Sequence, residues 1–461
     1  MRLSLAIASL VVLIGASLAY SSLRGTREAG VFNVDPQTPY FHYSPSGAIR
    51  GRVLAIHGLN SNKRLLNVLS YALAEGGLEV FTIDLPGHGE SSAPFNALQA
   101  RDTVAQVLDQ LGPETLVLGH SLGGAILLDV TGDRHVNSMV LFSPAPVPID
   151  KILADRVLLF EGEFDPGRIR AFVPTIQGAA QGNVEYHDVA WTGHTGSLLR
   201  PDVIEQVTTW LGGTPLSNNT RRRLRLLLLM LIAALTLGIA LLGKPAKPSR
   251  AGDRGRLANG NRTMVIYVAV TAISAVVAAW IPFTSWLHLF ATDYLLAYLF
   301  LVGLILSLTA PRLPFVRRTA LVGLGSALYV IAVPGLLVVS EFTQMMMADG
   351  RWWRFPVIAA LSFPLFWADE IWIRTMQPRW NAETMGIVTR LLLAAAVVTA
   401  VLTIHREASF LVLLTAVLLI FWIALWVAGG IIHRRTADPL AAALFSSLVQ
   451  GWVFAAVFVT T

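Results

Sequence analysis

The run Gly119-His120-Ser121-Leu122-Gly123-Gly124 follows the apolar stretch Thr115-Leu116-Val117-Leu118 and precedes Ala125-Ile126-Leu127-Leu128, so it reads as a strand, a sharp turn and a helix. A Gly-x-Ser-x-Gly match in that setting marks a nucleophile elbow, a turn that lifts a serine hydroxyl clear of the backbone. Gly119 and Gly123 have a physical task there, because a strained serine backbone needs neighbours without side chains if strand and helix are to approach closely. In a chain with 37 glycines the match alone fits a plain glycine-rich turn, so its weight depends on the residues farther along the chain.

An alkyl hydroxyl becomes a nucleophile only when a base removes its proton and a third group holds that base in one tautomer. Two further segments supply such groups. Residues 156–166, RVLLFEGEFDP, read as an apolar strand ending in a carboxylate, and residues 183–196, NVEYHDVAWTGHTG, as a strand ending in a histidine on a glycine-flanked loop. We therefore expect Ser121 as nucleophile, His194 as general base and then acid, and Asp165 as the orienting acid. Glu161 and Glu163 rival Asp165, since alternate strand residues share a face. Asp165 is preferred because it falls just past the strand, before Pro166, with Glu163 as the reserve.

Acyl transfer also needs donors for the developing oxyanion, worth several kcal/mol of barrier. In an elbow of this kind one donor is the residue after the nucleophile and the other lies on an earlier loop. Residues 52–60, RVLAIHGLN, form a strand running into His57-Gly58. That points to the N–H groups of Leu122 and Leu59. His57 more often shapes such a loop than acts as a base.

The stretch HGLNSNKRLLNVLSYALAEGGLEVFTIDLPGHGESS (57–92), the GHSLGG run, EGEFDP and WTGH together resemble the α/β-hydrolase superfamily, in particular its monoacylglycerol-lipase and serine-aminopeptidase branch. The order Ser, then Asp, then His is the one that superfamily uses. The resemblance covers residues 36–214 and implies a mostly parallel sheet with helices on both faces, with Asp84 and His88 structural. One departure stands out. Enzymes of that branch insert a helical cap before the acid-bearing strand, whereas here the strand 136–143 reaches Arg156 through residues 144–155 only, too few for a cap. The site is expected to be open or covered by another part of the chain.

The remainder of the chain is of a different kind. The composition is 54% hydrophobic and 14% charged, with a mean hydropathy of +0.59. From residue 221 onward, apolar segments near 224–243, 264–283, 290–309, 319–340, 354–373, 386–404, 408–429 and 439–459 each approach the ~20 residues that a helix needs to cross a bilayer. An all-α membrane domain of about eight helices is expected over 221–461. Residues 1–22 carry a charged start and an apolar core, the pattern of a secretory signal, cleaved after Ala19 or kept as an anchor.

Charge divides with the domains. Residues 23–220 hold 13 Lys/Arg and 20 Asp/Glu, and residues 221–461 hold 21 and 9. With the hydrolase-like part outside the cytoplasm, loops 244–262, 310–318, 374–390 and 433–435 face inward and hold fourteen Lys/Arg, against seven in the outward loops. This agrees with the positive-inside rule. The Arg221–Arg225 cluster runs against it, and lipid phosphates are one possible partner. The basic pI of about 9.8 thus belongs to membrane-flanking loops, and no nucleic-acid face is expected.

The chain has no cysteine, which excludes disulfides and thiolate chemistry and fits an exported protein of a bacterial plasma membrane. No histidine spacing suggests a metal site, and no cofactor is expected. Within the apolar half, Glu370 and Arg374 stand four apart near a helix end and are expected to pair at the interface, with Trp352, Trp353, Trp367, Trp372 and Trp380 as interfacial anchors. Met345-Met346-Met347 reads as ordinary packing or as a lipid-facing loop. Two function classes remain: a membrane-tethered serine hydrolase acting on an ester or lipid-linked acyl group, with acyl transfer as its variant, and a transport or signalling protein whose hydrolase-like domain binds a ligand.

Overall fold

An eight-stranded sheet organises the N-terminal half. Its strands are β1 (Thr26–Phe32), β2 (Thr38–Ser44), β3 (Gly51–Ile56), β4 (Leu78–Ile83), β5 (Thr115–His120), β6 (Val136–Phe142), β7 (Ala154–Gly162) and β8 (Asn183–Val189). They lie in the order β1-β2-β4-β3-β5-β6-β7-β8. β1 and β2 are antiparallel to their neighbours, and every pair from β4 to β8 is parallel. Parallel strands need crossovers, and α2 (Asn67–Glu75), α3 (Ala97–Leu111), α4 (Leu122–Val130), α5 (Gly167–Arg170) and α6 (Val173–Ala179) lie on them, while α1 (Arg2–Ser22) precedes β1 and α7 (Pro201–Trp210) follows β8.

The central strands read as continuous apolar runs because both faces of the sheet are covered. Along β5, Val117 belongs to the core on one face and Leu118 to the core on the other. Residues 144–155 contain no helix, as their length implies.

This computed structural model describes residues 2–23, 25–180, 182–215, 218–242, 260–281, 283–310, 317–375, 379–408 and 410–461. It divides into two compact units. The sheet unit comprises Val11–Ala233 together with Leu337–Asp349 and Val459–Thr461, so two short stretches from far downstream belong to it. Phe342 packs on the sheet core, Met345 and Met347 are buried, and Met346 is half exposed, which makes the methionine run chiefly packing. Of the arginine cluster considered for lipid phosphates, Arg223 is instead fully buried in this unit, bonded to Glu75 and the Leu23 carbonyl. Its carboxylate partner lies 148 residues upstream, so no local pattern announces it.

The second unit is helical, comprising Met1–Leu10, Ala234–Leu336 and Gly350–Phe458. From residue 219 the helices are α8 (Asn219–Leu241), α9 (Gly260–Trp280), α10 (Thr292–Leu308), α11 (Arg317–Val330), α12 (Arg354–Asp369), α13 (Arg379–Thr403), α14 (Phe410–Thr436) and α15 (Pro439–Val457). Among the described residues seven helices, α1 included, are long and apolar enough to cross a membrane. Six of the eight segments expected after residue 221 are among them, while Thr292–Leu308 and Thr319–Gly335 are shorter apolar helices. Much of the basic loop sequence, 243–259, 311–316 and 376–378, lies outside the described residues.

Close packing in this unit uses small residues. A Cβ on Gly303 of α10 would stand 2.1 Å from the Leu365 nitrogen of α12. The expected Glu370–Arg374 pair forms at 2.8 Å, and both side chains are buried. It lies on a π-helical turn, Glu370–Thr375, directly after α12. His433 of α14 also bonds Glu370, at 2.7 Å. Asp369 next to it pairs with Arg390 of α13 at 2.6 Å and accepts the Tyr267 hydroxyl of α9 at 2.9 Å. These partners come from three other helices, which the spacing around residue 370 does not reveal. Of the tryptophans expected as anchors, Trp352 and Trp353 are half exposed, whereas the side chain of Trp380 lies outside the described residues.

Candidate active site

At the C-terminal end of β5 the chain turns sharply into α4, and Ser121 at the corner has φ 53° and ψ −114°. A non-glycine residue at positive φ is strained, and such strain concentrates where geometry serves chemistry. Glycine at 123 makes the turn possible, because a Cβ there would come within 2.4 Å of the Ile56 carbonyl oxygen on β3. The hydroxyl of Ser121 lies 2.9 Å from Nε2 of His194. Nδ1 of His194 lies 2.7 Å from Oδ1 of Asp165.

The loops that carry these partners begin at strand ends. β7 stops at Gly162, and the chain bends so that Asp165 turns inward while Glu163 stays on the surface. Oδ2 of Asp165 accepts the Ser143 hydroxyl and the Gly162 N–H, both at 2.6 Å. Burial raises the carboxyl pKa, but the bonds from His194, Ser143 and Gly162 outweigh it and hold Asp165 below its usual range. An ionised Asp165 accepts from Nδ1–H, which leaves Nε2 free to accept the serine proton.

The rivals are placed elsewhere. The Glu163 carboxylate accepts the Trp191 N–H at 2.8 Å. Glu161 is buried with neither oxygen bonded among the described residues, and burial, together with the nearby Asp165 charge, pushes its pKa up to about 7.

His57 is fully buried, donating from Nδ1 to the Gly58 carbonyl at 2.8 Å and accepting the Leu85 N–H on Nε2 at 3.2 Å. Burial lowers its pKa, so it stays neutral and braces the loop. Asp84 accepts the Lys63 ammonium at 2.5 Å and the N–H groups of Lys63 and Glu90, and His88 donates to the Pro86 carbonyl at 2.8 Å. His120, neutral because burial and the neighbouring His194 lower its pKa to about 3, donates from Nε2 to the His194 carbonyl at 2.9 Å. It therefore supports the loop that presents the imidazole.

Leu122 opens α4, so its N–H has no partner within the helix. Among the described residues neither it nor the Leu59 N–H donates to a protein acceptor. Gly58 adjoins the elbow, where a Cβ would lie 3.0 Å from Cβ of Ser121. One residue of the site escapes sequence reasoning: Ser143 follows β6 without any motif. His120 is expected from the elbow as a supporting residue, but its partner, the His194 carbonyl, carries no local signal. No group of three or more possible metal ligands occurs among the described residues.

Residues 51–222 match the family model of the alpha/beta hydrolase fold. They form an α/β-hydrolase domain. The hydrolase domain is 31% identical over 124 residues to human monoglyceride lipase, an alignment covering 24% of this chain and 41% of the relative. It is also 36% identical over 110 residues to the dihydrolipoyllysine-residue acetyltransferase component of the acetoin cleaving system of Cupriavidus necator, covering 22% of this chain and 29% of that one. The chain thus spans less than half the length of these curated relatives. Among solved structures, the monoacylglycerol lipase of Paleococcus ferrophilus is similar at 16% identity and a TM-score of 0.32, over 40% of this chain and 98% of that one.

Proposed function

We propose that the protein is a membrane-anchored serine hydrolase that cleaves a carboxylic ester, a lipid or lipid-linked acyl group being the class favoured by the missing cap and the apolar helices. The observation that carries the reading is the unbroken hydrogen-bonded chain from the Ser121 hydroxyl through His194 to a buried, ionised Asp165. In the first half-reaction His194 Nε2 takes the serine proton as Oγ attacks the ester carbonyl. The imidazolium that forms is stabilised by Asp165, and the oxyanion is received by the N–H groups of Leu59 and Leu122. His194 then protonates the leaving alcohol, and a water activated by the same nitrogen releases the acid from the acyl-enzyme.

A ligand-binding domain without catalysis has no use for a strained serine aligned on a base. A fluorophosphonate probe gives the direct test: the full-length protein should label, and Ser121→Ala should not. Undiminished labelling of Ser121→Ala would remove the assignment. The hydrolase domain is proposed to lie outside the cytoplasm, so protease added to intact spheroplasts should digest it; full protection would place it inside.

A further inference from the structure

The loop that carries Leu59 is held by residues from the far end of the chain. Gly58 to Ser61 form a β-turn, with the Ser61 N–H donating to the Gly58 carbonyl at 3.2 Å. Asn60 sits at its third position with φ 52°, a conformation that glycine and asparagine adopt most readily. Its side chain does not serve the turn. Oδ1 of Asn60 accepts the N–H of Val459 at 2.9 Å, across 399 positions of sequence.

Val459 is itself immobilised. It is fully buried, and the next residue is stitched to a second loop of the same unit: the Thr460 N–H donates to the Gly87 carbonyl at 3.0 Å, and the Thr460 carbonyl accepts the Phe95 N–H at 2.8 Å. Gly87 leaves room for this strand, since a Cβ there would lie 2.6 Å from the Thr460 oxygen. The other flank of the turn is also tied down. Asn62 Nδ2 donates to Thr343 Oγ1 at 3.2 Å, Arg64 Nε to Gln344 Oε1 at 2.9 Å, and Asn67 Nδ2 to the Glu341 carbonyl at 3.0 Å. A short turn with no regular structure of its own is therefore fixed on both sides by segments outside residues 36–214.

We propose that Asn60 is a positioning residue and Val459 its anchor. Their bond sets the tilt of the Gly58–Ser61 turn, and with it the direction of the Leu59 N–H. The inference rests on the serine-hydrolase reading, in which that N–H receives the oxyanion. An oxyanion donor acts only when pre-aimed at the charge that develops in the transition state, so a turn released from its anchor weakens turnover more than substrate binding. In this account the oxyanion loop is competent only while the backbone following α15 is seated.

The test uses the full-length protein in detergent, with p-nitrophenyl butyrate as substrate and fluorophosphonate titration to count active sites. Asn60→Gly removes the tether while keeping a residue at ease with positive φ. Replacing Val459 by its α-hydroxy-acid analogue removes only the N–H. Each change should lower kcat per titrated site by about tenfold to a hundredfold, with KM within about twofold, and the two together should be no worse than either alone. Wild-type kcat per titrated site in Asn60→Gly overturns the proposal. So does a loss in the double variant equal to the product of the single losses, or a fall confined to the number of titratable sites, which is what a purely structural role gives. Failure of the wild type to label at Ser121 instead strikes the parent reading.

Discussion

The hydrolase domain and the helical unit each contain a carboxylate bonded to a histidine at 2.7 Å, Asp165 with His194 and Glu370 with His433. The two pairs differ in what surrounds them. Asp165 is satisfied by neutral donors, and His194 turns its other nitrogen to a hydroxyl held in a strained elbow. Glu370 is neutralised by Arg374, whose guanidinium lies 3.5 Å over the Trp426 ring, and among the described residues no hydroxyl meets Nε2 of His433. A carboxylate–imidazole pair is thus not in itself a site. It becomes one when the acid lacks a cationic partner of its own and the base is aimed at a nucleophile. In the helical unit the same groups offset the cost of burying charge and fix how four helices meet.

The comparison is broken most severely at Asp165. Asp165→Asn keeps the shape but cannot accept Nδ1–H as a carboxylate does, so His194 loses its tautomer and the stabilisation of its cation. Ester turnover should fall about a thousandfold or more while folding persists. A variant that retains a tenth of wild-type turnover would show that the pair is as structural here as it is in the helices.

The matching change in the helical unit reads out in stability. Arg390→Met leaves Asp369 buried with the Tyr267 hydroxyl as its remaining partner among the described residues, a loss on the order of 3–5 kcal/mol. The double variant Asp369→Leu with Arg390→Met should recover most of it, because both charges are then gone. Thermal unfolding of the solubilised protein measures both. If the single change is as well tolerated as the double, the cluster does not hold the helices together.

A finer test concerns Glu161, buried beside Asp165 with neither oxygen bonded among the described residues. Its pKa in the folded state, about 7, lies above the ordinary 4.5, so the stability its neutral form contributes is complete below about pH 4.5 and is lost as pH rises through 7. Glu161→Gln should therefore match the wild type near pH 5 and exceed it at pH 8 by on the order of 2 kcal/mol. An equal difference at both pH values would mean that Glu161 is not the titrating group.

The reach of sequence reasoning depends on the distance between partners. The elbow is legible because strand, turn and helix occupy a dozen consecutive residues, and parallel strands read as apolar runs for the same local reason. Ser143 carries no signal, since it meets Asp165 only because β6 and β7 end side by side. The ties from Asn60, Asn62 and Arg64 to residues 343–459 are invisible because each joins positions more than 270 apart. The bundle's ion pairs are half legible: Glu370 and Arg374 share one helical turn, but Arg390 and His433 do not.

Choosing among the carboxylates on β7 shows the same limit, and it yields the smallest expected effect. Strand alternation puts residues 161, 163 and 165 on one face, so the pattern alone does not separate Glu163 from Asp165. The bend after Gly162 does, sending Asp165 inward and leaving the exposed Glu163 carboxylate to accept the Trp191 N–H. Glutamine retains an oxygen able to accept that bond, so Glu163→Gln should change ester turnover by no more than about twofold. A loss comparable to that of Asp165→Asn would instead make Glu163 the acid that works with His194, and the bonds from Ser143 and Gly162 to Asp165 would then be structural, as those of Glu370 are in the helices.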